Sequence, residues 1–208
     1  MPLDTLISAL VTLFLVVDPL GLAPTFLAVT EGLPAAARRQ VAVRACLIAA
    51  ATLTGAAIGG DWLFKTLGIS LPAFRIAGGL LLFSIASEMV FGVRIERQSR
   101  TAEQAVEEHV RHIAAFPLAV PLMAGPGAIT ATVLLAGRAT GDLVALAVLI
   151  GVIAAVIATC LATFLAAGTI GKLLGVTGNV VLSRLLGVLL AALAVQYVID
   201  GIRTIWTP

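Results

Sequence analysis

Cut at its charged residues and at its proline- and glycine-rich turns, the chain falls into six apolar stretches, at roughly 5–30, 42–64, 71–92, 113–136, 143–168 and 179–203. A helix needs roughly 20 consecutive apolar residues to cross a hydrocarbon core, and these stretches meet that length. The segment 143–171, which opens LVALAVLIGVIAAVIATCLATFLAA, carries no charged residue. The pattern predicts an all-α integral membrane protein with six transmembrane helices. One sizeable polar piece interrupts it, VRIERQSRTAEQAVEEHVRH at 93–112, with four arginines, four glutamates and two histidines. That piece is too short for a domain of its own.

The second half of the chain repeats the first. RIAGGLLLFSIASEMVFG (75–92) aligns without gaps on RLLGVLLAALAVQYVIDG (184–201), matching Arg75 with Arg184, Gly78 with Gly187 and Gly92 with Gly201. At a spacing of 107, Pro19 falls on Pro126, Thr25 on Thr132, Lys65 on Lys172 and Leu67–Gly68 on Leu174–Gly175. Apolar chains align by chance at Leu and Ala, so the weight rests on the Arg, Lys, Pro and Gly matches. The expected organisation is one membrane domain, with three-span repeats at 1–92 and 113–208 joined by a charged loop at 93–112. Three is an odd number, so the second repeat enters the membrane from the opposite side. Such inverted-topology repeats are the usual construction of secondary transporters.

Charge sets the expected orientation. Lys65, Arg75, Arg138 and Arg203 lie on one side, and Arg38, Arg39, Arg44, Arg94, Arg97, Arg100, Arg111, Lys172 and Arg184 on the other. The excess of Lys and Arg marks the second side as cytoplasmic, with both termini outside. Composition agrees with the pattern: 60% of the 208 residues are hydrophobic and 12% charged, with a mean hydropathy of +1.11. The first apolar stretch lacks a basic n-region, and Asp4 is its one early side-chain charge, so it reads as a retained span rather than a signal peptide. A net charge of +2, with no basic run interleaved by aromatics, argues against nucleic acid. Cys46 and Cys160 fall inside apolar stretches and read as small buried residues.

Spans 1 and 4 are expected to be broken. FLVVDPLGLAPTF (14–26) places an aspartate, two prolines and a glycine inside an apolar run. Asp is a favoured helix N-cap and Pro is tolerated at the first helical position, so the span reads as stopping near Val17 and restarting at Pro19, roughly half-way across. PLMAGPGAITATV (121–133) gives a matching break at Gly125, Pro126 and Gly127. Each restarted half-helix carries unpaired N–H donors and a partial positive charge at its start, a site suited to a carboxylate. Irregular backbone at membrane depth survives where protein buries it or where it lines a water-filled cavity. The candidate substrate-binding residues are Asp18, Pro19, Gly21, Pro24, Gly125, Pro126 and Gly127, with Thr25, Thr130, Thr132 and Gln196 as further cavity-lining candidates. Asp18 has both a structural role, as the cap, and a functional one, as an intramembrane carboxylate that binds an amine or carries a proton. Arg75 and Arg184 read as snorkelling residues, Glu88 and Asp200 as interfacial, and His109 and His112 as solvated. No Ser–His–Asp set, HExxH, phosphate loop or metal-ligand spacing is present, so no catalytic residue, cofactor or metal is expected.

The blocks DPLGLAPTFL, LGISLPAFRIAGGLLLF, PLAVPLMAGPGAITATVLL and LSRLLGVLLAALAVQYVIDGI resemble the hallmark segments of the MarC family, six-span inner-membrane proteins of bacteria and archaea. The resemblance covers nearly the whole chain outside 93–112. It implies a cytoplasmic-membrane protein of the LysE-like transporter grouping, some of whose members are neutral amino acid transporters driven by a proton or sodium gradient. Two positions depart from the family pattern: Leu22 and Asp200 stand where Asn is common, which weakens a transfer of substrate. The expected function is therefore secondary transport of a small solute, with a neutral amino acid as the leading substrate. The competing expectation is a non-transporting membrane protein whose breaks are structural and whose 93–112 loop docks a partner. An ion channel is disfavoured, because neither a ring of charges nor a carbonyl filter is visible. Small residues in the third and sixth spans permit tight helix contact, and a homodimer is left open.

Overall fold

The computed structural model describes residues 3–98, 100, 114–137 and 142–206. The described residues contain helices and turns and no strand. In chain order the helices are α1 (Leu3–Val17), α2 (Leu22–Val29), α3 (Ala35–Leu67), α4 (Leu71–Phe91), a π-helical segment (Ala114–Met123), α5 (Pro126–Gly137), α6 (Leu143–Leu165) and α7 (Ala167–Trp206). A short helical stretch over 93–98 follows α4. Most of the expected loop at 93–112, including His109 and His112, lies outside the described residues.

Among the described residues, four helical segments are long and apolar enough to cross a membrane: Ala35–Gly60, Leu71–Phe91, Leu143–Leu165 and Thr177–Trp206. Leu6–Val17 and Leu22–Val29, bent by 42° at the intervening break, make a fifth if taken as one span. The region expected to form a span over 113–136 is divided between the π-helical segment and α5, and α5 has 12 residues. A helix of that length is about 18 Å long, too short to span alone.

Local chemistry explains the boundaries. Gly68 ends α3 in the left-handed region (φ 68°), and the Ile69 N–H donates to the Phe64 carbonyl at 3.0 Å, the six-to-one bond of a Schellman stop. Ser70 then starts α4 by accepting from the Ala73 N–H at 3.3 Å, and Gly92 stops it with φ 82°. Asp142 caps α6 by accepting from the Val144 and Ala145 N–H groups at 2.9 and 3.1 Å. Gly175 (φ 58°) kinks α7 ahead of its long membrane segment.

Helices α4 and α7 run antiparallel and touch backbone to backbone. A Cβ on Gly79 would stand 2.7 Å from the Ala194 carbonyl oxygen, and one on Gly187 would stand 2.8 Å from Met89 Cβ. One on Gly201 would stand 3.0 Å from the Pro72 carbonyl oxygen. Such contacts are how helices associate in lipid, where neighbouring helices gain no hydrophobic advantage over the acyl chains. Helix α3 packs on α5, α6 and the π-helical segment, and α1 on α5 and α6. Leu13, Phe26, Leu118, Met123, Leu134 and Ile153 fill the shared core. Large apolar residues cover the outside as well, among them Leu47, Trp62, Phe83, Phe91 and Val188. Hydroxyls of Thr52, Ser87 and Thr159 donate to the carbonyl one turn back on their own helices, so they need no water. This is a molecule whose solvent is lipid.

Candidate functional site

Helix α1 ends because Asp18 leaves helical geometry, with φ at 55°. The Asp18 N–H still donates to the Phe14 carbonyl at 2.9 Å, closing α1. Its own carbonyl then accepts from the Leu22 N–H at 3.1 Å, and its Oδ1 from the Gly21 N–H, also at 3.1 Å. Asp18 therefore caps the turn that joins the two helices; α2 itself opens at Leu22, with Gly21 before it and no side-chain cap, so the restart falls three residues later than the Pro19 read from the sequence. A side chain at position 21 would run into the Asp18 carboxylate, so glycine is required there. Asp18 is 2% exposed, and Pro19, Gly21 and Thr25 are also buried, whereas Pro24 faces outward.

The second break is built differently. The Ala124 N–H reaches back five residues to the Ala119 carbonyl at 2.8 Å, which gives the preceding segment its wide π-helical turn. A Cβ on Gly125 would collide with the Pro121 carbonyl. The Gly125 carbonyl opens α5 by accepting from the Ile129 N–H at 3.0 Å. Pro126 brings no N–H, and those of Gly127 and Ala128 precede the first helical bond of α5. No side chain caps them among the described residues.

Gly127 lies against Ile85 of α4 and, at 3.4 Å for an added Cβ, against Val16 at the end of α1. The two interrupted helices thus meet near Ile85, six residues before α4 ends at Phe91. At 1.5 Å per residue that is about 9 Å from the helix end, nearer the arginine-rich end than the half-way point read from the sequence. This depth brings in a residue that the sequence reading assigned to the polar loop. Arg94 is 6% exposed; its Nη2 donates to the Val16 carbonyl at 2.9 Å and its Nη1 to Met89 Sδ at 3.2 Å. The first bond occupies a carbonyl left open where α1 stops. Asp18 is close enough to interact electrostatically with Arg94, although no carboxylate touches Arg94 among the described residues.

A cavity of about 60 Å³ sits at the start of α5, lined by Arg94, Arg97, Gln98, Gly125, Pro126, Gly127 and Ala128 together with Val16, Ile85, Pro121 and Leu122. Three of the expected binding residues, Gly125, Pro126 and Gly127, are brought together here. Asp18, Pro19, Gly21 and Thr25 are packed behind it and do not line it. Thr130 lines a separate apolar groove with Gly55, Gly59 and Trp62 of α3. Thr132 is fully buried, with its hydroxyl oxygen unpartnered. Arg97 forms a two-pronged ion pair with Glu88 at 2.8 Å on each arm, which ties the 93–98 stretch to α4. Arg94 and Gln98 had escaped the sequence reading. Their one signal is position: they follow Gly92, whose left-handed turn folds the chain back over the end of α4.

An apolar exterior, a helix-only interior and an interrupted first span define an integral helical membrane protein. The chain belongs to the MarC family: the model described as MarC family integral membrane protein matches residues 3–206. It is 38% identical over 207 residues to a UPF0056 membrane protein of Methanocaldococcus jannaschii, covering 98% of each chain. Similar proteins occur in Archaeoglobus fulgidus, at 36% over 196 residues with 94% of this chain and 91% of the relative covered. One of Escherichia coli is 34% identical over 201 residues, with 93% and 90% covered. No solved structure matches the chain.

Proposed function

We propose that the protein is a secondary transporter that moves a small solute, with a neutral amino acid as the leading substrate, across the cytoplasmic membrane by alternating access between two inverted three-span repeats. The observation that carries this reading is the pair of interrupted helices, broken at Asp18–Gly21 and at Gly125–Pro126, that approach each other beside a cavity lined by Val16 at the end of α1 and by the start of α5. The two prolines, Pro19 and Pro126, stand at the 107-residue spacing of the internal repeat, and Gly68 and Gly175 keep it. Gly68 and Gly175 both take positive φ, at 68° and 58°. Arg75 approaches Gly201 while Arg184 approaches Gly92, an exchange of repeat-equivalent partners that a pseudo-twofold axis requires. In this reading the solute carboxylate meets the half-helix start at Pro126 and its amine turns towards Asp18. The arginine-rich end of α4 is cytoplasmic, and both termini are outside.

A second reading is favoured by two specific observations. Asp18 spends an oxygen on the Gly21 N–H, and the cavity of about 60 Å³ falls short of the roughly 300–1,000 Å³ of a small-molecule site. Both fit a non-transporting protein with structural breaks, and both fit the closed state of a transporter. Uptake separates them. Purified protein in proteoliposomes, offered labelled glycine, alanine and serine with and without a proton or sodium gradient, is expected to accumulate at least one of them. Folded protein that accumulates none under any gradient contradicts amino acid transport.

A further inference from the structure

The cavity at the start of α5 has the composition of an anion site, and no carboxylate of the described residues lines it. Arg94 offers five N–H donors. Two are directed at acceptors, and one of those acceptors is a thioether sulfur, a weak one. A guanidinium 6% exposed, which interacts with Asp18 and Glu88 at a distance and touches no carboxylate among the described residues, is a costly charge to bury. Gln98 also lines the cavity, 5% exposed and with no hydrogen bond among the described residues. The third contribution is the start of α5, where the N–H groups of Gly127 and Ala128 precede the first helical bond. Three independent sources of positive potential and N–H donors converge on about 60 Å³, room for a carboxylate or a few waters and little else. The first break is not available in the same way, because the Asp18 carboxylate already accepts from the Gly21 N–H there.

We infer that this cavity is a carboxylate subsite in which Arg94 supplies the charge, Gln98 an amide donor, and the Gly127 and Ala128 backbone the remaining N–H groups. The two breaks are then chemically unequal: the first carries an internal carboxylate and the second receives one from the ligand. The identity of that ligand rests on the transport reading above; the subsite itself does not, and it is tested by binding alone.

The probe is acetate, with acetamide as its neutral isostere, measured by saturation-transfer NMR on purified detergent-solubilised protein in chloride-free buffer. Saturable binding of acetate and none of acetamide is expected. Gln98→Leu is expected to weaken acetate binding by about tenfold, the effect of one hydrogen bond to a charged group. Arg94→Gln is expected to abolish it, with thermal unfolding recorded in parallel. If Arg94→Gln does not fold, Gln98→Leu alone decides, since it leaves the Val16 bond intact. Equal binding of acetate and acetamide, no saturable acetate binding, or acetate binding unchanged in Gln98→Leu overturns the assignment. Acetate binding without amino acid uptake keeps the subsite and removes the amino acid as the transported solute.

Discussion

At the scale of single residues, Asp18 combines a backbone requirement with a buried charge. Its φ of 55° is one that Asp and Asn tolerate better than other side chains, and its Oδ1 holds the Gly21 N–H. Asparagine preserves both features, whereas alanine loses the cap and must still adopt the left-handed backbone. Asp18→Ala is therefore expected to lower stability by about 1–2 kcal/mol, the effect of one lost hydrogen bond to a buried carboxylate. Asp18→Asn is expected to remain close to wild type. Thermal unfolding in detergent measures both, and equal losses in the two variants would place the whole effect on the charge. The pair also gives a folded control for uptake, because Asp18→Asn removes the charge and retains the cap.

Between elements, the α4–α7 contact depends on glycines that leave no room for a methyl group. Gly79→Ala places a Cβ 2.7 Å from the Ala194 carbonyl, a backbone atom that cannot swing away. The helices must separate, at an expected cost of about 1–3 kcal/mol. Gly151→Ala in α6 meets nothing within 4 Å and is expected to be neutral or mildly stabilising. A melting temperature unchanged by Gly79→Ala would mean that α4 and α7 pack less closely than described. The breaks at this scale were legible because their causes are local. Asp-Pro and Gly-Pro each carry a missing N–H and a bend within a few residues, although α2 restarts at Leu22 rather than at Pro19. The π-helical turn before Gly125 was not legible, since nothing in AAFPLAVPLM distinguishes an i+5 bond from an i+4 bond. Helix α3 also begins earlier than its apolar stretch, at Ala35, because Arg38 and Arg39 interrupt the hydropathy pattern without interrupting the helix.

For the whole molecule, the least legible feature is the one that closes the site. Arg94 sits 78 residues from Val16 in the chain and among charged neighbours, so its sequence context reads as solvated loop. Its burial follows from where α4 ends relative to the break in α1, a long-range fact that no local pattern carries. The central claim is that the cavity between the two breaks opens to each side of the membrane in turn. The most direct measurement uses one reporter cysteine, Ile85→Cys on the cavity wall, in a background where the buried Cys46 and Cys160 are replaced by alanine. Proteoliposomes of known orientation are treated with a membrane-impermeant maleimide from one face or the other, with and without alanine. Labelling from both faces, in a ratio that alanine shifts, is the predicted result. Labelling from a single face under every condition, or from neither, would contradict alternating access and leave the interrupted helices as architecture.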